Sequence, residues 1–293
     1  MAESPSININ PIARFQAYLR TLYDIPFAPE IADQIDAEKN FRELAGPDAT
    51  DRLYLAPLYE ARYKGADRIL RHFLEHQPMR QVLELASGLS PQGLMYARQY
   101  YPLTYVETDL APMTQIKARI IRSLTSRTPK GLHLFSANCL QPEDLQRTLV
   151  KFKPDQPVII FNIGLLSFLA DEEKTRLAEQ IHKILERFGG YWITPDPAMH
   201  NERRREISKN FPTHFMIEQN QSTPDGRSFQ DNAFADEAAA DRFFDELDFT
   251  IEKEPQLQGY ELSSPAKLKL APEAIVRIEE DIRRFGKVWI LSA

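Results

Sequence analysis

The stretch Gln81-Val82-Leu83-Glu84-Leu85-Ala86-Ser87-Gly88-Leu89-Ser90-Pro91-Gln92-Gly93 decides how the rest of the chain is read. It opens on an apolar run, passes through small residues and enters Gln92–Gln99, which has helical spacing. Strand, tight turn and helix in that order begin a parallel βαβ unit. Downstream the pattern repeats. Thr104–Glu107, Leu132–Phe135, Val158–Phe161 and Tyr191–Thr194 read as strands, and Pro112–Leu124, Glu143–Phe152 and Asp171–Phe188 as helices between them. This alternation predicts an α/β fold with a mostly parallel sheet covered on both faces. The uniformly apolar Val158-Ile159-Ile160-Phe161 suits its centre. Upstream, Ile12–Tyr23, Ile31–Leu44 and Leu53–Leu74 read as helices, the last with a kink expected near Gly65. Beyond Pro197, residues 198–246 are polar and partly helical, with a turn at Thr223-Pro224-Asp225-Gly226. Phe249–Glu254 and Lys287–Leu291 close the pattern as strands around a helical Pro272–Phe285.

Composition narrows the function. At roughly 150 residues per domain, 293 residues allow one large domain or two modest ones. No linker or repeat separates two units, so the expected organisation is a helical cap over residues 1–60 and a core over 61–293, the core interrupted by the 198–246 insertion. Lys+Arg 36 against Asp+Glu 42 leaves a net charge of −6, which repels phosphate backbones and argues against nucleic-acid binding. The single cysteine, Cys139, excludes an internal disulfide framework and a Cys-rich zinc site. Without an 18-residue apolar run or a basic, apolar N-terminus, neither a membrane partner nor a secretory leader is expected, and the expected compartment is cytoplasmic. Nothing in the sequence speaks to oligomeric state.

The 11 glycines are few for a phosphate-cradling protein. Gly88 and Gly93 have the separation of a Walker A loop, but Leu94-Met95 stands where lysine and a hydroxyl residue should follow. Nor does Ser87-Gly88-Leu89-Ser90 supply the three glycines of a dinucleotide fingerprint. Val-Leu-Glu-Leu followed by small residues and one well-placed glycine fits the methyltransferase form, and a plain turn is its bland competitor. The second strand ends Glu107-Thr108-Asp109. A carboxylate about 20 residues past the loop can accept both hydroxyls of a ribose. Glu107 and Asp109 share a strand face, and Asp109, at the end, is the better placed. After the third strand, the Asn138 amide can meet an adenine edge, with Cys139 or Leu140 against the ring.

On these segments the chain resembles the leucine carboxyl methyltransferase family, in particular its tetracenomycin-type polyketide O-methyltransferase branch. Glu84–Gly93 and Tyr105–Met113, with Lys117 following, carry the resemblance most specifically. Gly164–Leu169 with Glu172 and Glu173, and Tyr191–Asp196, extend it to roughly residues 60–197. The resemblance implies a Rossmann-like class I methyltransferase: a mostly parallel seven-stranded sheet with helices on both faces and a helical cap. It also implies S-adenosyl-L-methionine as donor, S-adenosyl-L-homocysteine as product, and Arg62 on the donor's methionine carboxylate. The chain departs from the family at Ile163, where an acid is common, at Phe168, where tyrosine is frequent, and at Gln92, often an arginine. The expected donor-binding set is Arg62, Glu84, Ala86, Ser87, Gly88, Asp109, Asn138, Cys139 and Asn162.

The acceptor is less legible. A carboxylate, with a pKa near ~4, is ionised at neutral pH and needs no base, whereas a phenol at about 10 usually needs one. His200 and His214 fall in the insertion and could serve, although surface histidine is the plainer reading of each; no catalytic residue is assigned. His72-Phe73-Leu74-Glu75-His76 formally matches an H-x-x-E-H metal motif, but it leads straight into the first strand and reads as amphipathic packing, so no metal is expected. Arg203-Arg204-Arg205, flanked by acids, reads as a solvated helix face. Asn162-Ile163-Gly164 lacks the prolines of amino-group methyltransferases. Three functions remain: O-methylation of a carboxylate or hydroxyl on a small molecule, with the N-terminal helices and the 198–246 insertion as a substrate cap; methylation of a protein C-terminal carboxylate; and donor binding without turnover.

Overall fold

Every strand expected from the apolar runs is present in the computed structural model, which describes residues 9, 11–45, 53, 56–210 and 232–293. β1 (Gln81–Glu84), β2 (Thr104–Asp109), β3 (Leu132–Ser136), β4 (Val158–Phe161), β5 (Gly190–Thr194), β6 (Thr250–Pro255) and β7 (Lys287–Ser292) form one sheet in the order β3-β2-β1-β4-β5-β7-β6. The first five run parallel, and β7 is antiparallel to both β5 and β6. The strand order reverses between β1 and β4, and in open α/β sheets the crevice beyond the strand C-termini at that point is where ligands bind.

Both faces are buried, and alternation along each strand decides which residue serves which face. Leu83, Val106, Ile160 and Trp192 pack against Leu177, Ile181 and Leu185 of the helix Asp171–Phe188. Val82, Tyr105, Ile159 and Ile193 face the other way, toward Ile69, Leu70 and Phe73. Those last three belong to the helix Ala56–His76, which runs through Gly65 without interruption. The expected kink there is replaced by a close crossing: a Cβ on Gly65 would lie 2.7 Å from the backbone of Gln256.

The N-terminal segment forms three helices, α1 (Pro11–Arg20), α2 (Ala28–Asp33) and α3 (Ala37–Ala45). The single helix expected over 31–44 is broken because Asp36 is left-handed, at φ 50. Phe15 and Leu19 of α1 pack with Phe41 and Tyr63. Ala17 joins Ile31, Ile35 and, from the core, Leu89, Ile116 and Ile120. Apolar contacts therefore lay α1 over the loop that follows β1. Among the described residues no helix is long and apolar enough to cross a membrane. The turn expected at Thr223–Gly226 lies outside them.

Candidate active site

Backbone bonds lace the ends of four strands together. The Leu85 amide donates to the Phe161 carbonyl (2.8 Å), Ser87 to Thr108 (2.9 Å) and Ala137 to Asp109 (2.9 Å). The Thr108 hydroxyl donates to the Glu84 carbonyl at 3.0 Å. The loop after β1 is thereby held against β2, with Ala86 in the left-handed region at φ 49 and Gly88 at φ 50. A Cβ on Gly88 would meet nothing within 4 Å, so the backbone there borders open space.

That space is a cavity of about 450 Å³. Arg62, Glu84, Ala86, Ser87, Gly88, Asp109, Asn138 and Cys139 all line it, so the expected residues from four separate segments meet around one volume. The Asp109 carboxylate accepts the Gly88 amide at 2.7 Å and the Leu110 amide at 2.8 Å. Burial pushes its carboxyl above the usual range, while these two amides and Lys117 oppose the shift. Each carboxylate oxygen can accept a further bond. The Asn138 side-chain oxygen accepts the Leu140 amide at 3.0 Å, and its NH₂ group makes no hydrogen bond among the described residues.

Beneath the loop lies a buried charge cluster. Lys117 pairs with Glu107 at 2.7 Å and donates to the Ser87 hydroxyl at 3.2 Å. Glu107 also accepts the Gly93 amide at 3.1 Å, so it is spent on the framework while Asp109 faces the cavity. Glu84 accepts the Tyr105 hydroxyl at 2.8 Å. Its carboxyl is pushed up to about 7, by burial above all and by neighbouring Glu107, with Lys117 pulling the other way.

Arg62, from the helix Ala56–His76, forms a buried ion pair with Asp196, which follows β5. Asp196 also accepts the amides of Gly164 (2.7 Å), Leu165 (2.7 Å) and Leu166 (2.9 Å) and the side chain of Asn162 (2.8 Å). It therefore shapes the loop after β4. The buried Nε of Arg62 makes no hydrogen bond among the described residues. Asn162 departs from the expected set: it does not line the cavity. Its amide is committed to Asp196, Thr194 (3.1 Å) and the Trp192 indole (2.7 Å), which makes it a brace for Asp196.

Other expectations need correction. His200 is buried, not superficial, and lies off the cavity. Its Nδ1 accepts the Arg203 amide at 3.2 Å, and burial together with Arg203 pushes its pKa below the usual histidine value. A base there would have no access to an acceptor. Arg203 and Arg204 are buried as well, Arg203 gripping Asp281 at 2.8 Å, so only Arg205 fits the solvated face. No described residue of the 198–246 insertion lines the cavity; Ala198, Ala240 and Phe244 pack beside Trp192 and Trp289 instead. His214 lies outside the described residues. His72 and His76 stack ring on ring at 4.8 Å, and Glu75 accepts the Tyr100 hydroxyl at 2.6 Å.

The roof is the part the sequence reading missed. Ile12, Gln16 and Arg20 of α1 line the cavity, joined by Tyr59, Ile163 and Phe168. A spacing of four puts the three α1 residues on one helix face. This stripe was detectable beside the apolar Phe15 and Leu19, though its target was not.

A family model for leucine carboxyl methyltransferase matches residues 16–182. The chain belongs to that family. It is accordingly a methyltransferase, and its cofactor is S-adenosylmethionine. Among solved structures, a DUF574 family protein from Streptomyces avermitilis is 14% identical over 98% of each chain, with a TM-score of 0.55. An O-methyltransferase family protein from Burkholderia thailandensis is 13% identical over 96% of this chain and 71% of its own, with a TM-score of 0.48. At 14% identity the likeness to the first is one of fold alone, and with the β3-β2-β1-β4-β5-β7-β6 sheet it is the Rossmann-like class I methyltransferase fold. No curated protein matches the chain in sequence. The cavity suits the family's donor: the unsatisfied Arg62 Nε calls for an acceptor such as a carboxylate, and the open position at Gly88 admits a ligand against the backbone.

Proposed function

We propose that this methyltransferase O-methylates a small-molecule carboxylate, in keeping with the tetracenomycin-type branch that its motifs resemble. The observation that carries the reading is the cavity itself. Its volume of about 450 Å³ lies within the range of small-molecule sites, its wall is largely apolar and aromatic, and no lining residue is a histidine or lysine. An acceptor that needs deprotonation would have to draw on Glu84 or Asp109, carboxylates that this reading gives to the donor, whereas a carboxylate acceptor arrives ionised.

Asp109 would hold the ribose hydroxyls, Asn138 the adenine edge, Arg62 the methionine carboxylate and Glu84 the ammonium, with Ala86, Ser87 and Gly88 against the nucleoside. A donor held this way would supply an electrophilic sulfonium methyl group for in-line transfer to the acceptor oxygen, with S-adenosylhomocysteine as the leaving group. The chain's own work is alignment and exclusion of water: α1 covers the strand ends, and Ile163 and Phe168 keep the acceptor side dry. The test is mass-spectrometric methyl transfer to small carboxylic acids, phenols and peptides with a free C-terminus. Methyl esters of small acids are expected. Modification of the peptides alone would favour the protein carboxyl methyltransferase reading, and donor binding with no product at all would favour a silent binder.

A further inference from the structure

We infer that Arg20 is the docking residue for the acceptor's carboxylate, so that the roof helix α1 and not the sheet selects the substrate. This rests on the carboxylate reading above and adds the residue that recognises it. Arg62 is tied to Asp196, and Lys117 is tied to Glu107 beneath the loop. Arg20, by contrast, lines the cavity without a carboxylate partner or a hydrogen bond among the described residues. Its guanidinium lies over the Tyr63 ring, 5.6 Å from the centroid, which orients the fork while leaving its donors free. Gln16, one turn earlier on the same face, adds a second polar group with no partner among the described residues. The same cavity carries apolar side chains, Ile12 on α1 together with Ile163 and Phe168. A half-buried cation without a carboxylate partner among the described residues calls for an anion, and a planar guanidinium matches a carboxylate at two points. The ligand class is therefore an apolar monocarboxylic acid, its body against Ile12, Ile163 and Phe168. Esterification removes the charge, so the methyl ester loses this contact and the product is released from the residue that captured the substrate.

The test uses the whole chain saturated with S-adenosylhomocysteine and titrated calorimetrically with 4-phenylbutyrate and octanoate, each beside its neutral amide and methyl ester. The acids are expected to bind at least about tenfold more tightly than the neutral forms, and Arg20→Gln to erase that preference. Arg20→Lys should keep part of it, because charge survives without the bidentate fork. S-adenosylhomocysteine affinity, measured on both variants, should stay within about twofold of wild type, which also reports that they fold. Acids and amides bound alike, no binding of either, or a preference that survives in Arg20→Gln would overturn the assignment. So would a donor affinity that falls with Arg20, which would give the residue to the donor. Acids bound through Arg20 but never methylated would leave it standing and remove the O-methylation reading instead.

Discussion

The floor and the roof of the cavity are built on opposite plans. On the floor, at the strand ends, polar groups are bonded to one another before any ligand arrives: Asp109 to two amides, Asp196 to three amides and Asn162, Glu84 to Tyr105. On the roof, Arg20 and Gln16 of α1 face the same cavity with no side-chain hydrogen bond or ion pair among the described residues, Arg20 resting only on the Tyr63 ring. A prebonded floor holds one invariant ligand in one pose at little ordering cost, as a donor requires. A roof with unspent polar groups can set the identity of the second ligand without disturbing the first.

The contrast breaks most visibly at Asp196. Asp196→Ala strands the Arg62 charge and three loop amides in a buried setting, so a loss of about 3–5 kcal/mol is expected in urea unfolding; a loss under ~1 kcal/mol would mean the floor is not prebonded in this way. Next comes Asp109→Ala. It should weaken donor binding at least about tenfold by calorimetry while the acid-over-amide preference of the roof survives. Loss of both together would merge floor and roof into one unit.

Glu84 gives a smaller, pH-dependent effect. Its folded pKa of about 7 lies above the usual glutamate value of 4.5, so the folded chain binds more protons between those limits. The stability this confers is full below the lower value and is lost as pH rises through about 7. Stability measured across that window should therefore slope downward, and the slope should flatten in Glu84→Gln. Donor affinity should rise over the same window if the ionised carboxylate meets an ammonium group, and an affinity independent of pH would remove Glu84 from the donor site.

The smallest effect is expected at Ala86, whose left-handed backbone at φ 49 is strained for any residue with a Cβ. Ala86→Gly relieves that strain but loosens the unfolded chain, leaving a net change within about 1 kcal/mol by thermal unfolding. A larger loss would show that the methyl group matters to packing more than the backbone does.

Much of the floor was legible in the sequence because its signals are local. Val82–Gly93 announces strand, turn and helix within a dozen residues, and Asp109 sits at a strand end at a spacing that a ribose contact dictates. What escaped depends on pairings between distant segments. Arg62 meets Asp196 across 134 positions, and Arg203 meets Asp281 across 78, so neither arginine's burial can be read from its neighbours. Asn162 looked like a strand-end ligand and proved to be a brace, because Trp192 and Asp196 claim its amide from the adjoining strand and the loop beyond it. For His200 the missing knowledge was that its segment folds onto Phe285, with ring centroids 5.7 Å apart. The α1 stripe was visible as a spacing of four, but only the packing of Ala17 and Leu89 in one cluster shows which surface it covers.

The central claim is that the strand-end floor is a donor site built around Asp109. Calorimetric titration of the wild-type chain and Asp109→Ala with S-adenosylmethionine and S-adenosylhomocysteine tests it most directly. Saturable binding of both ligands to wild type, weakened at least about tenfold in the variant, is the predicted result. Absence of binding at millimolar ligand, or equal affinity in both proteins, would contradict it.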